Sequence, residues 1–337
     1  MLYPEICYNL SMKKIIEQYD ENIYNSSIFD FYFGGLRAGV LDIETTGLNP
    51  SQNKFILGGL FDLQTKTMYQ YFAESRAEEE ETLASFLEEV CKLDLVITYN
   101  GRHFDLPFMQ NRMSKYGLNE VLPYNLDLYL VINGHSPIKK LVPNLKQKTI
   151  ENYMGLWDSR ADEISGGESV ELYNRYENTG NSELEEKILL HNSDDVLQLS
   201  RLIKVLSKCD VHKAMYHLGF PVAGLSVEKI RTEKNSLVIT GRQGMKPIDY
   251  MGFLFEDWPV ESRFDSRTGE FIIKIPVIRD SGLCLVDIDA SGLDRSEFEK
   301  YPSCSSGFLV LEDHNDRNFM ETNHFIKAFL KLFMERI

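Results

Sequence analysis

Asp42 and Glu44 stand one residue apart at the end of a short apolar run, Ala38-Gly-Val-Leu-Asp42-Ile-Glu44-Thr-Thr-Gly-Leu48. Such a run, bounded by turn residues, predicts a buried strand. The two-residue side-chain period then sets both carboxylates on one face. Unpaired, they would repel and one pKa would rise; a divalent cation with hard oxygen ligands removes that cost. An acidic strand end facing solvent explains this pair equally well taken alone. Two further acidic groups follow in order: Asp105, in Asn100-Gly-Arg-His-Phe104-Asp105, and Asp195, in His191-Asn-Ser-Asp194-Asp195. On a helix, His191 and Asp195 are four apart and share a face. Asp42, Glu44, Asp105 and Asp195 can therefore converge from one strand end and two helices on two divalent ions about 4 Å apart, Mg²⁺ or Mn²⁺. One ion would lower the pKa of an attacking water, and the other would stabilise the leaving oxygen at phosphorus. His191 has the ordinary pKa of a group that could take the water's proton. A plain helix N-terminal role competes for Asp105, and Asp194 competes with Asp195 as ligand.

The elements that must carry these groups are legible to different degrees. The Asp42 strand is followed by apolar stretches at 54–62 and 65–72, predicted as an antiparallel meander, and by a helix over 78–93 with Leu83, Phe86, Leu87 and Val90 at helical spacing. Residues 94–100 predict a strand leading into the Asp105 helix, and 125–130 a further strand carrying Asp127. Helices are predicted over 143–154, with Pro143 in the first turn, and over 170–176. The clearest helix runs over 182–207, with Ser182 and Glu185 at capping-box spacing. Residues 1–30 read as an extension with a short helix near 12–19. Beyond 210 the pattern turns to short strands, at 236–241, 248–255, 260–265, 270–277 and 283–289, with a hairpin turn at 265–270 and a closing amphipathic helix at 319–337. The domain reading is an extension (1–30), a catalytic domain (31–209) and a smaller β-rich domain (210–337).

The chain has 337 residues, a net charge of −15 and five scattered cysteines. The charge argues against a protein that grips nucleic acid over a broad basic face, though not against an enzyme acting on it. Odd, unpaired cysteines fit reduced thiols and a cytoplasmic location. No apolar run is long enough for a membrane span, and the first residues lack the basic-then-apolar order of a signal peptide.

The three motifs together resemble those of the DEDD (DnaQ-like) 3′–5′ exonuclease superfamily: Asp42-x-Glu44, Asn100-x-x-x-Phe104-Asp105 and His191-x-x-x-Asp195. Leu41-Asp-Ile-Glu-Thr-Thr-Gly-Leu48 and Tyr99-Asn-Gly-Arg-His-Phe-Asp-Leu-Pro107 resemble polymerase proofreading domains. The stretch from Met154 through Arg160, Asp162, Glu163 and Gly166, together with Tyr173-x-x-Tyr176, is similar to the bacterial YprB-like family. The resemblance spans about 35–208. It implies a ribonuclease-H-like α/β fold, a mixed sheet flanked by helices. It also implies a metal-dependent nuclease, hydrolysing DNA or RNA from 3′ ends by a two-metal mechanism. On the same ground Thr45 and Leu48 would line the terminal nucleotide, and Asn100 would fix the second motif's geometry or touch the substrate. Members bearing His usually set it five residues before the last Asp, whereas here it is four. Arg102, His103, Asp127 and Arg160 are candidate neighbours of the site.

Two other readings stand beside this one: a structure-selective endonuclease using the same site, and a non-catalytic nucleic-acid-binding module, which would have lost at least one ligand. Two features are set aside. Asp287-x-Asp289 imitates the first motif without companions and reads as strand and turn. The span 229–279 has nine basic against seven acidic residues, with Tyr250, Phe253, Phe255 and Trp258 interleaved. These aromatics read as the core of a small β domain rather than a nucleic-acid grip.

Overall fold

The computed structural model describes residues 12–161, 164, 166–254, 258–314 and 316–337. Two compact units divide between Cys209 and Asp210.

In the first unit, β1 (Lys13–Gln18) precedes α1 (Ser27–Phe33), β2 (Ala38–Thr45), β3 (Phe55–Asp62), β4 (Thr67–Phe72) and α2 (Glu79–Val90). Then come β5 (Leu95–Thr98), α3 (Asp105–Tyr116), β6 (Tyr124–Asp127), α4 (Leu128–His135), α5 (Gln147–Tyr153), α6 (Gly166–Thr179) and α7 (Ser182–Leu202). The six strands form one sheet in the order β1-β4-β3-β2-β5-β6. β5 pairs in parallel with β2 and β6, while the β1–β4, β4–β3 and β3–β2 pairs are antiparallel. This mixed sheet flanked by helices is a ribonuclease-H-like fold. Its central strands β2, β3 and β5 bury side chains on both faces, so they read as largely apolar runs rather than alternating ones. One face packs Leu41, Ile43, Phe55 and Leu60 against Phe86, Leu87 and Val90 of α2 and Phe108 and Met109 of α3. The other packs Ile56, Leu57 and Phe72 against Tyr173 and Tyr176 of α6 and Leu184 and Ile188 of α7.

A buried ion pair ties the first of these layers together. Arg112 of α3 reaches Glu79 of α2 through Nε and Nη2, both at 2.6 Å. Glu79 also accepts the Phe55 amide (2.9 Å) and the Tyr116 hydroxyl (2.5 Å), and Lys54 Nζ lies 2.9 Å away. Its pKa falls below the usual range because these donors together outweigh the burial that opposes them.

Several local expectations are corrected. Residues 13–18 form an edge strand paired with β4, not a helix: six partners along β4 outweigh a weak helical pattern. The strand at 124–127 stops at Asp127, whose side chain accepts the Leu130 amide and starts α4. α5 begins only at Gln147, so Pro143 precedes it. Asn181, not Ser182, caps α7, accepting the Glu183 amide, and the last turns tighten into a 3₁₀ segment at Ile203–Lys208.

The second unit begins with α8 (Val211–Leu218). An antiparallel sheet follows, made of β7 (Phe220–Val222), β8 (Leu225–Thr232), β9 (Ser236–Gln243), β10 (Tyr250–Leu254), β11 (Val260–Asp265) and β12 (Glu270–Pro276). β13 (Ile278–Asp280), β14 (Leu283–Asp287), α9 (Ile288–Ser291), β15 (Cys304–Ser305), β16 (Phe308–Asp313), β17 (Asp316–Arg317) and α10 (Phe319–Arg336) complete it, with these strands in a second antiparallel sheet. Asp287 caps α9 through the Ala290 amide, and Asp289 pairs with Arg295, so the imitation motif is accounted for locally. Trp258 is buried against Phe329 and Tyr250 meets Phe264 and Phe333, as core aromatics do, whereas Phe253 is exposed. Phe255 lies outside the described residues, as do Cys7, Asp162 and Glu163.

Candidate active site

β2 delivers Asp42, half-buried, and Glu44, buried. The register sets Asp42 opposite Gly59 and Ile43 opposite Gly58. A Cβ on Gly59 would overlap the Asn192 side-chain amide of α7, and one on Gly58 the Phe86 ring of α2. The glycine pair thus lets a helix approach closely on each face of the sheet. Asn192 uses that room: its Nδ2 donates to Asp42 Oδ2 at 3.2 Å and to the Asp42 carbonyl at 3.3 Å.

Asp105 is the first residue of α3. The β2–β5 ladder ends at Val40 and Ile97. Beyond that end, Asp105 Oδ1 accepts the Ile43 amide at 3.3 Å, fixing α3 to the strand that bears the first motif. The loop before it is set by Asp127, which accepts the amides of Asn100 (2.9 Å) and Arg102 (3.0 Å). Asn100 adopts positive φ (67°), where Asn is tolerated, and its side chain meets His103 rather than the carboxylates.

α7 delivers His191 and Asp195. His191 Nε2 lies 3.5 Å from Glu44 Oε1 and 3.7 Å from Asp195 Oδ2, bridging the first and third motifs. The other Glu44 oxygen accepts the Ser169 hydroxyl of α6 at 2.9 Å. Asp195 Oδ1 accepts Arg160 Nη1 at 2.6 Å. Arg160 is buried and forks onto Glu151 at 2.9 and 2.8 Å. Gln147 donates to Glu151 (2.9 Å) and to the Asp195 carbonyl (3.0 Å). Asp194 instead accepts the Ala161 amide at 2.7 Å.

Asp42 is held well above the usual carboxylate range. Burial is the largest cause, repulsion from Asp105, Asp195 and Glu44 adds to it, and the Asn192 hydrogen bond opposes it. Asp105 is pushed up to about 7, again mainly by burial, with Asp127 and Glu44 adding and backbone amides opposing. These are like charges crowded at the end of one strand, which is the condition a hard divalent cation relieves, and all four oxygen donors suit Mg²⁺ or Mn²⁺. As placed, no three His, Cys, Asp or Glu side chains among the described residues stand at the spacing of a metal shell. The donor chemistry fits such an ion.

Residues 40–207 match the RNase_H_2 family, of the RNase_H superfamily. The chain carries an RNase H superfamily domain. An uncharacterized protein of Methanocaldococcus jannaschii is 28% identical over 185 residues, covering 50% of this chain and 95% of that one. The family B DNA polymerase of the hyperthermophilic archaeon Pyrobaculum calidifontis is similar in structure, with a TM-score of 0.40 and 18% identity, over 51% of this chain and 24% of the polymerase. The chain thus spans about a quarter of that polymerase's length.

Within the RNase H domain, Thr45 is buried and bonds the Gly47 carbonyl, while Leu48 is 82% exposed. Of the candidate neighbours, Arg160 reaches Asp195, Asp127 shapes the loop, and Arg102 serves the Tyr124–Asn125 edge. Asn192, Ser169, Glu151 and Gln147 were not singled out in the sequence. Ser, Asn and Gln carry no spacing signal; the mid-strand pair Gly58-Gly59 was the one available sign of a close approach.

Proposed function

We propose that the RNase H domain is a metal-dependent nuclease, a DEDD-type 3′–5′ exonuclease of the YprB-like kind, hydrolysing phosphodiester bonds of DNA or RNA. One observation carries the reading: Asp42, Glu44, Asp105 and Asp195 lie at one end of β2, with His191 between Glu44 and Asp195. The superfamily match over the same residues supports it. Bound Mg²⁺ or Mn²⁺, two ions in this reading, would lower the pKa of an attacking water and offset charge on the leaving oxygen. The four carboxylates would hold it. Ser169 and Asn192 keep Glu44 and Asp42 turned toward the site. Arg160 fixes one oxygen of Asp195 and leaves Oδ2 facing His191. His191 would take the water's proton through Nε2. Thr45 and Leu48 would line the terminal nucleotide, the exposed Leu48 offering an apolar surface to a base, and Asn100 would hold the second motif's loop or touch the substrate.

Four cysteines among the described residues (91, 209, 284 and 304) are free, and we place the protein in the cytoplasm. No helix among the described residues is long and apolar enough to cross a membrane. The deciding experiment is cleavage of 5′-labelled single-stranded DNA and RNA in Mg²⁺ and in Mn²⁺, beside Asp42→Asn. A ladder shortening from the 3′ end, absent in the variant, supports the exonuclease. Discrete internal products would mean an endonuclease. No cleavage of either by folded protein would refute catalysis.

A further inference from the structure

A cleft of about 550 Å³ lies beside the carboxylates, lined by Tyr99, Asn100, Tyr129, Leu145, Lys146 and Gln147. Its size is that of a small-molecule site. It is tied to the site at two places. Gln147 bonds the carbonyl of Asp195 and the carboxylate of Glu151, and Asn100 opens the loop that leads into Asp105. The walls are aromatic and firmly held: the Tyr99 hydroxyl donates to the Leu145 carbonyl at 2.6 Å, and its ring meets Tyr129 edge-on at 6.0 Å. Both rings are only half-buried.

The charge of this region runs against that of the chain. From 128 to 150 there is no Asp or Glu, while Lys139, Lys140, Lys146 and Lys148 occur, in a chain of net charge −15. Lys139, Lys140 and Lys146 are exposed, and no carboxylate among the described residues is in ion-pair contact with them. Lys148 is different: its ammonium is taken by the Ile164 carbonyl at 2.5 Å. A second cleft follows along the same segment, with half-exposed Tyr153 and Trp157 at its wall.

Phosphates spaced along a flexible chain need free cations, and unstacked bases need ring faces. Single-stranded nucleic acid presents both, whereas a duplex hides its base faces. We propose that the Tyr99–Tyr129–Lys146 cleft binds single-stranded nucleic acid upstream of the scissile end, with a base against the tyrosines and a phosphate on Lys146. This rests on the nuclease reading of the neighbouring carboxylates and adds the substrate's form and a binding track.

The test uses the full chain and a fluorescent single-stranded oligonucleotide of about ten nucleotides, followed by anisotropy in Ca²⁺. Lys146→Glu is expected to weaken binding about tenfold and to reduce the slope of log affinity against log salt by about one. Tyr129→Leu, which keeps an apolar side chain in place, is expected to weaken it by about fivefold or more. A duplex of the same length should bind poorly to wild type and respond little to either change. In cleavage, Lys146→Glu should raise KM more for the ten-nucleotide strand than for a dinucleotide. Wild-type binding that neither variant alters, or an equal effect on duplex, overturns the proposal. Wild type that binds in the Lys146-dependent way but cleaves nothing strikes the nuclease reading and leaves the track standing. Wild type that does not bind the strand at all overturns the track.

Discussion

Replacing Asp105 by Asn should make the metal-free protein more stable. Asp105 is 4% exposed, and its pKa is pushed from 3.8 up to about 7. A carboxylate that holds its proton more tightly when folded costs stability as pH rises from the ordinary value toward the folded one, and the cost is constant above it. By linkage the cost is on the order of 4 kcal/mol at pH 8 and less than half of that at pH 5. Asn keeps an oxygen for the Ile43 amide, so the tie between α3 and β2 survives. It forfeits the favourable charge at the start of α3, about 0.3–1 kcal/mol. The net gain at pH 8 is about 3 kcal/mol, a rise in melting temperature on the order of 10 °C for a unit of this size. Relief of repulsion at Asp42 acts in the same direction. Calorimetry in EDTA at pH 5 and pH 8 measures it. Excess Mn²⁺ should then stabilise wild type more than the variant. A variant that melts no higher than wild type at pH 8, or by the same margin at both pH values, would refute the account of uncompensated buried charge.

Other outcomes follow from the same geometry. Glu79→Gln leaves Arg112 buried without its partner and should cost about 3–5 kcal/mol in urea unfolding. His191→Gln should lower kcat by about 10²–10⁴ while leaving Mn²⁺ affinity, read by titration calorimetry, within about threefold of wild type. Arg160→Lys keeps the charge but loses the fork between Glu151 and Asp195. Its kcat should fall about tenfold or more, with little change in KM for a dinucleotide; wild-type kcat in this variant would show that the Asp195 orientation does not matter.

The catalytic candidates were readable because each motif pairs a rare residue type with a local frame. Asp42 and Glu44 end an apolar strand, and His191 and Asp195 sit at helical spacing. The middle of the sheet was readable for the same reason, β2, β3 and β5 being largely apolar runs. What escaped is non-local. β1 forms because β4 offers it a free edge, and residues 13–18 themselves say little of that. Asp127 looked like a strand residue and is a cap that also shapes the Asn100 loop. Arg160 was a candidate neighbour of the site, but its partner Glu151 joins it only through the path of the chain between α5 and α7, which no spacing encodes.

Gly59 faces Asp42 across the β2–β3 ladder and contributes no side chain, yet it gauges the site. The first and third motifs are 150 residues apart along the chain, and the depth to which α7 settles on the sheet decides whether His191 reaches Glu44. Gly59 acts as a shim of zero thickness: one added methyl group there would meet the Asn192 amide and displace the group that holds Asp42. The seat of Asn192 against Asp42 is thus set by a residue with no side chain, on a strand that carries none of the candidate carboxylates.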